Sequence, residues 1–169
     1  MDFKHISPLE IQENAGKIIG KDYMLVTAGT LESNNCLTAS WGGLGFMWRK
    51  PIACIVIRPQ RYTKEFIERE DFFTLSFFDE SYKDMFAFCG SKSGRDVNKI
   101  KECGLTPFST TNNSVAYEQA RLIFECKKLY AAPFEADHFI DQTLLNDYKN
   151  GDFHIQYIAE ITDCLIRNS

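Results

Sequence analysis

The sequence predicts a mainly β fold with a few peripheral helices, and three observations carry that prediction. Apolar runs of strand length, rich in β-branched and aromatic residues, recur at 23–29, 36–41, 52–57, 72–78, 120–130 and 155–166. Clusters of Gly, Pro, Asn, Ser and charged residues separate them. The helical patterns between them are short, and the aromatic content of 14%, with 14 Phe and 7 Tyr, suits a β-rich core. With 169 residues and 44% hydrophobic composition, the chain has enough apolar material for one sizeable core, so residues 1–169 are read as one domain.

Each element follows from local signals. Ser7, Pro8 and Glu10 open a short helix expected to run toward Gly16, with Ser as cap and Pro at the first helical position. Residues 23–29 form a strand, the polar turn 32–35 returns the chain, and 36–41 form the second arm of a hairpin. Gly42, Gly43 and Gly45 break that arm. Pro51 introduces the buried strand 52–57, which Arg58 and Pro59 stop. Thr63 is read as the cap of a helix through Glu70, followed by a strand at 72–78 and an amphipathic helix from Tyr82 toward Phe88. Residues 89–94 read as a loop, 96–102 as a basic helix and 109–114 as a surface connection. Two long strands, 120–130 and 155–166, flank a helical patch at 141–148.

The bulk numbers exclude several functions. A net charge of -4 gives no basic field for nucleic acid, although Arg58, Arg61 and Lys64, and then Lys92, Arg95, Lys99 and Lys101, form local basic clusters suited to a small anion. The six cysteines stand singly, without a CxxC pair or a nearby His at ligand spacing, so no metal site is expected. No run of 18 apolar residues and no apolar leader are present, so a cytoplasmic protein with reduced thiols and no membrane association is expected.

Four segments offer chemistry. Thr38, Ala39, Ser40 and Trp41 run into glycines, where a planar ligand can approach the backbone closely; Trp41 either covers such a ligand or packs in the core. Arg58, Arg61, Tyr62 and Thr63 join a buried strand to a helix start, bringing guanidinium, hydroxyl and helical N–H groups to one point, an arrangement suited to phosphate and equally to an ordinary capped turn. Ser91 and Lys92 lie in a Gly-Ser-Lys-Ser-Gly stretch that lacks the GxxxxGK[ST] spacing, so a nucleoside-triphosphatase is rejected; it is a second anion contact or a generic loop. His154 opens the last strand with Glu160 on the same face, and either lines a cavity or packs at a strand edge.

Taken together, Thr38-Ala39-Ser40-Trp41-Gly42-Gly43, Arg58-Pro59-Gln60-Arg61-Tyr62-Thr63, Ser76-Phe77-Phe78 and Cys89-Gly90-Ser91-Lys92-Ser93-Gly94-Arg95-Asp96 resemble the flavin reductase-like family of the flavoredoxin type. Ala120-Arg121-Leu122, Cys126-Lys127-Lys128-Leu129-Tyr130 and Gly151-Asp152-Phe153-His154 extend the resemblance over nearly the whole chain. The resemblance implies an FMN-binding split β-barrel and a homodimer with flavin near the subunit interface. By position it places Thr38, Ala39, Ser40 and Trp41 on the isoalloxazine, Arg61, Tyr62 and Thr63 on the phosphate with Arg58 as a further candidate, and Ser91 and Lys92 closing over it. His154 falls on the nicotinamide or substrate side as the catalytic candidate, Cys89 beside the flavin, and Cys36 at a packing position.

The function implied is an FMN-dependent oxidoreductase that takes hydride from NAD(P)H and passes electrons to flavin, iron or a protein acceptor. The alternative is an electron carrier reduced by a partner protein alone, in keeping with the lack of a GxGxxG fingerprint. A non-catalytic split barrel without flavin is the third reading, and the motifs fit pyridoxamine-phosphate-oxidising relatives less well.

Overall fold

A computed structural model describes residues 2–168. Its strands are β1 (Phe3–Ile6), β2 (Met24–Gly29), β3 (Asn34–Ala39), β4 (Gly42–Met47), β5 (Lys50–Ile57), β6 (Phe72–Phe77), β7 (Pro107–Ser109), β8 (Val115–Tyr117), β9 (Leu122–Pro133) and β10 (Ile155–Arg167). Strands β7 and β8 form a separate antiparallel ribbon, and the rest form one antiparallel sheet in the order β3-β2-β6-β9-β10-β5-β4, with β1 also on β10. The two ends of that path, β3 and β4, are consecutive in the chain and joined only through Ser40 and Trp41. A sheet whose end strands share so short a link must curl to bring those ends close together, giving a barrel that stays split between β3 and β4. Gly42 turns the corner at φ 155°, where a Cβ would stand 2.3 Å from the Cys54 carbonyl oxygen.

Both faces of the central strands are covered. On one, Met24, Val26, Ala28, Phe73, Leu75, Phe77, Leu122, Phe124 and Cys126 fill the main core. On the other, Leu25 and Ile123 join a second core with Cys36, Phe86, Cys89 and Tyr117. In β10 the core face holds Tyr157, Ala159 and Ile161 and then switches to Cys164, because a register shift between Ile161 and Asp163 leaves Thr162 as an extra residue that reverses the alternation.

Several expected boundaries change. The helix opened by Ser7 stops after one 3-10 turn at Glu10, complete with its capping box, and α1 (Ala15–Gly20) starts afresh under Asn14, whose side chain accepts from the Lys17 N–H. The glycines after Trp41 form β4 itself, pairing Gly42, Gly43 and Gly45 with Ile55, Cys54 and Ile52. Thr63 is the first residue of α2 (Thr63–Arg69) instead of its cap; Tyr62 stands at the cap position. Helix α3 (Lys83–Ser91) extends through Cys89, Gly90 and Ser91, which the sequence read as loop, and α4 (Lys99–Glu102) is shorter than expected, capped by Asn98. The connection 109–114 is the turn of the β7–β8 ribbon, and buried Glu125 pins it by accepting from the Asn112 N–H at 3.0 Å and Asn112 Nδ2 at 2.7 Å.

Candidate functional site

The seam of the barrel carries a groove. Its first part, about 220 Å³, is lined by Thr38, Ala39, Ser40 and Trp41 from the β3–β4 link, by Arg58 and Arg61 beyond β5, and by His154 before β10. A second part, about 130 Å³, is lined by Arg61, Tyr62, Thr63, Gly90, Ser91, Lys92 and Lys99. Arg61 lines both, so the two parts are neighbours at this residue. All ten predicted cofactor residues and His154 border one or the other.

The first part has an aromatic wall and a stretch of backbone outside the sheet ladders. Ser40 and Trp41 lie between the ladders of β3 and β4, outside both. Trp41 is 45% exposed, with its ring centroid 5.0 Å from that of His154. His154 is 8% exposed, and its Nδ1 lies 2.8 Å from the Tyr148 hydroxyl. Burial, assisted by the Arg58 charge, pushes the His154 pKa down to about 4, so the imidazole is neutral at neutral pH. Glu160, which the sequence placed with His154, instead pairs with Lys50 at 2.6 Å. Thr38 Oγ1 donates to the Phe86 carbonyl at 2.6 Å, anchoring the β3 wall to α3.

The second part is cationic. Arg61 donates to the Gly90 carbonyl at 3.0 Å and the Cys89 carbonyl at 3.4 Å. Lys99, 4% exposed, donates to the Cys36 carbonyl at 2.8 Å and the Cys89 carbonyl at 3.0 Å. The two cations thus converge on the last turn of α3, where orphan carbonyls carry partial negative charge. Burial lowers the pKa of both groups, because a charge held away from water is costly.

Some predicted residues hold the groove indirectly. Arg58 lies on the first part only, where it bonds Asp152 at 2.5 Å and the Asp147 carbonyl at 3.0 Å and stacks over Tyr148 at 5.3 Å; it ties the 142–148 turn to the barrel. Thr63 is buried, and its hydroxyl accepts from Asn35 Nδ2 at 2.8 Å. Ser91 donates back to the Ala87 carbonyl at 2.8 Å, and Lys92 is exposed at the end of α3. The expected helical N–H donors are partly spent: those of Lys64 and Glu65 bond the carbonyls of Arg61 and Tyr62. Tyr62 packs edge-on against Phe66 and beneath the Arg95 guanidinium at 4.5 Å.

Sequence reasoning missed Asn35 and the special role of Lys99. Lys99 was visible only as one of four basic residues in a run, and nothing local distinguishes the one that points inward. Gly94 explains Asn35: a Cβ there would lie 1.9 Å from Asn35 Oδ1, so only glycine lets that amide reach Thr63. Cys89, expected beside a ligand, is fully buried. His138 meets Glu135 and Asp137 with ligand atoms within 4.8 Å, but all three are exposed and lie off the groove.

Fold and groove define a mostly β, antiparallel split-barrel protein with an aromatic and a cationic cavity side by side at its seam. The family model for the flavin reductase like domain matches residues 17–169, and the chain belongs to that family. Among solved structures it is similar to an FMN-binding domain of a flavin reductases-like enzyme from Shewanella baltica, with 19% identity and TM-score 0.71, over 99% of this chain and 79% of that one. It is also similar to the flavoredoxin of Desulfovibrio vulgaris, with 22% identity and TM-score 0.68 over 86% and 69%. Nitrilotriacetate monooxygenase component B from Bacillus cereus matches at 18% identity and TM-score 0.69 over 96% and 81%. No curated protein sequence matches the chain.

Proposed function

We propose that the groove holds FMN and that the protein is a flavin-dependent oxidoreductase using NAD(P)H as hydride donor. The observation that carries the reading is the groove's polarity along its length: a Trp41–His154 wall and free backbone at one end, and the converging Arg61 and Lys99 cations at the other. Flat aromatic ring and phosphate are the two ends of one FMN molecule. In this reading Ser40 and Trp41 offer backbone groups to the ring edge, and Thr38 and Ala39 form its floor. Arg61 and Lys99 hold the phosphate with Lys92 as an outer charge, while Tyr62, Thr63 and Ser91 shape the pocket around it. When bound, the flavin supplies the redox chemistry, accepting hydride from the nicotinamide and passing electrons to free flavin, iron or a protein. Neutral His154 keeps the donor side of the ring uncharged and offers Nε2 to a bound partner, since Nδ1 is engaged by Tyr148.

The chain is further proposed to act as a homodimer through β4. That strand is an end of the sheet, it begins directly after Trp41, and its far end exposes Phe46 (63%) with Met47 and Trp48. An edge strand tipped with aromatics is a surface that a second copy would cover. Light scattering on the purified chain tests this, and a monomer at micromolar concentration would reject it.

The test of function is a visible spectrum of the protein after added FMN is removed by gel filtration, followed by anaerobic NADH or NADPH. A retained flavin band that bleaches supports the oxidoreductase. A band that persists favours a carrier reduced only by a partner, and no retained band rejects flavin binding.

A further inference from the structure

Three sulfurs cluster behind the cationic end of the groove. Cys89 Sγ lies 3.8 Å from Cys103 Sγ and 4.0 Å from Cys36 Sγ. Cys36 and Cys89 are buried, whereas Cys103, at the end of α4, is partly exposed, so a solute reaches the cluster from the Cys103 side. Cys89, the neighbour of both other sulfurs, is also the residue whose backbone carbonyl accepts from both Arg61 and Lys99. Its neighbour Gly90 supplies the other Arg61 acceptor.

We propose that Cys89 and Cys103 form a reversible redox pair, closed to a disulfide by hydroperoxides, and that closure loosens the anion end of the groove. Bonding brings the sulfurs from 3.8 Å to about 2.05 Å, drawing the last turn of α3 toward the end of α4. The carbonyls that position Arg61 and Lys99 lie on that turn. The chemistry balances in two steps. The Cys103 thiolate attacks the peroxide: an S–O bond forms, the O–O bond breaks, and the alkoxide leaves with a proton as alcohol, giving a sulfenic acid. Cys89 sulfur then attacks Cys103 sulfur: the S–S bond forms, the S–O bond breaks, and hydroxide leaves as water with the Cys89 proton. The thiols lose two electrons to the peroxide, and an external dithiol reverses the change. Burial raises the Cys103 pKa, so the first step quickens as pH rises above neutral.

The test uses the full chain with hydrogen peroxide, alkylation of remaining thiols and intact mass. Expected are a fall from six titratable thiols to four, loss of the mass of two hydrogens, a tryptic crosslink joining residues 84–92 to 102–121, and recovery with dithiothreitol. Cys103→Ser, at a partly exposed position, is expected to remove the crosslink while keeping the melting temperature. Retention of all six thiols, or a crosslink to Cys36 instead, overturns the pair. The coupling rests on the FMN reading: the crosslinked protein is expected to bind FMN about fivefold or more weakly than the reduced protein. Equal affinity in protein with the mapped crosslink overturns the coupling. Reduced protein that binds no FMN refutes the groove reading, while the thiol count and crosslink still judge the pair.

Discussion

His154 should make stability fall as the pH drops below neutral. Its ring is buried against Trp41, it bonds Tyr148, and burial, with Arg58 adding, holds its pKa at about 4 against 6.5 for the free side chain. As pH falls below 6.5 the unfolded chain takes up this proton while the folded chain does not, so the unfolded state gains. The stability His154 permits is therefore complete above pH 6.5 and is lost progressively down to about pH 4. Each pKa unit corresponds to about 1.4 kcal/mol, which sets a ceiling of roughly 3 kcal/mol; the side of the ring that borders the groove meets water, so about 2–3 kcal/mol is the expected loss. Urea unfolding of the wild type and His154→Gln at pH 7 and pH 4 measures it: the wild type should lose about 2–3 kcal/mol more than the variant. Proton NMR of the three histidines gives the same answer directly. A His154 resonance titrating at or above 6.5, or equal acid sensitivity in the two proteins, would refute the reasoning.

Other perturbations probe the rest of the groove. Arg61→Ala should weaken FMN by about 1.5–3 kcal/mol, roughly 10- to 150-fold, and leave riboflavin affinity nearly unchanged; equal losses for both ligands would show that Arg61 acts on the whole groove and not on phosphate. Lys99→Met removes two charge-assisted bonds to the Cys36 and Cys89 carbonyls but relieves a buried charge, so a net loss of about 1–3 kcal/mol in thermal unfolding is expected, with FMN retention reduced; an unchanged melt would sink the structural role. Gly94→Ala drives a Cβ into the Asn35 amide and so displaces it from its bond to Thr63, which should cost about 1–3 kcal/mol, a drop of roughly 2–12 °C by calorimetry. Asn35→Ala combined with Gly94→Ala should then lose little beyond Asn35→Ala alone, and full additivity would contradict the clash.

The chain itself determined the strands whose signal is local. The run 52–57 and the long alternating segments 120–130 and 155–166 announce themselves through β-branched and aromatic residues, and the segments bordering the groove are contiguous enough to be singled out before folding. Where the reading failed, the deciding contact was distant in sequence. A glycine-rich stretch after Trp41 looks like a strand break, yet it is a strand because β5 is there to pair with it, and pairing energy outweighs the low propensity of glycine. The alternation of β10 gives no hint that Thr162 bulges, since both sides of the reversal find apolar cover in two different cores. Likewise, composition counts Lys99 with its solvated neighbours and Cys36, Cys89 and Cys103 as scattered singles. Only the docking of α3 and α4 against β3 buries that one ammonium on two carbonyls and gathers the three sulfurs, because charge burial and sulfur proximity are properties of packed elements, and no spacing along the chain encodes them.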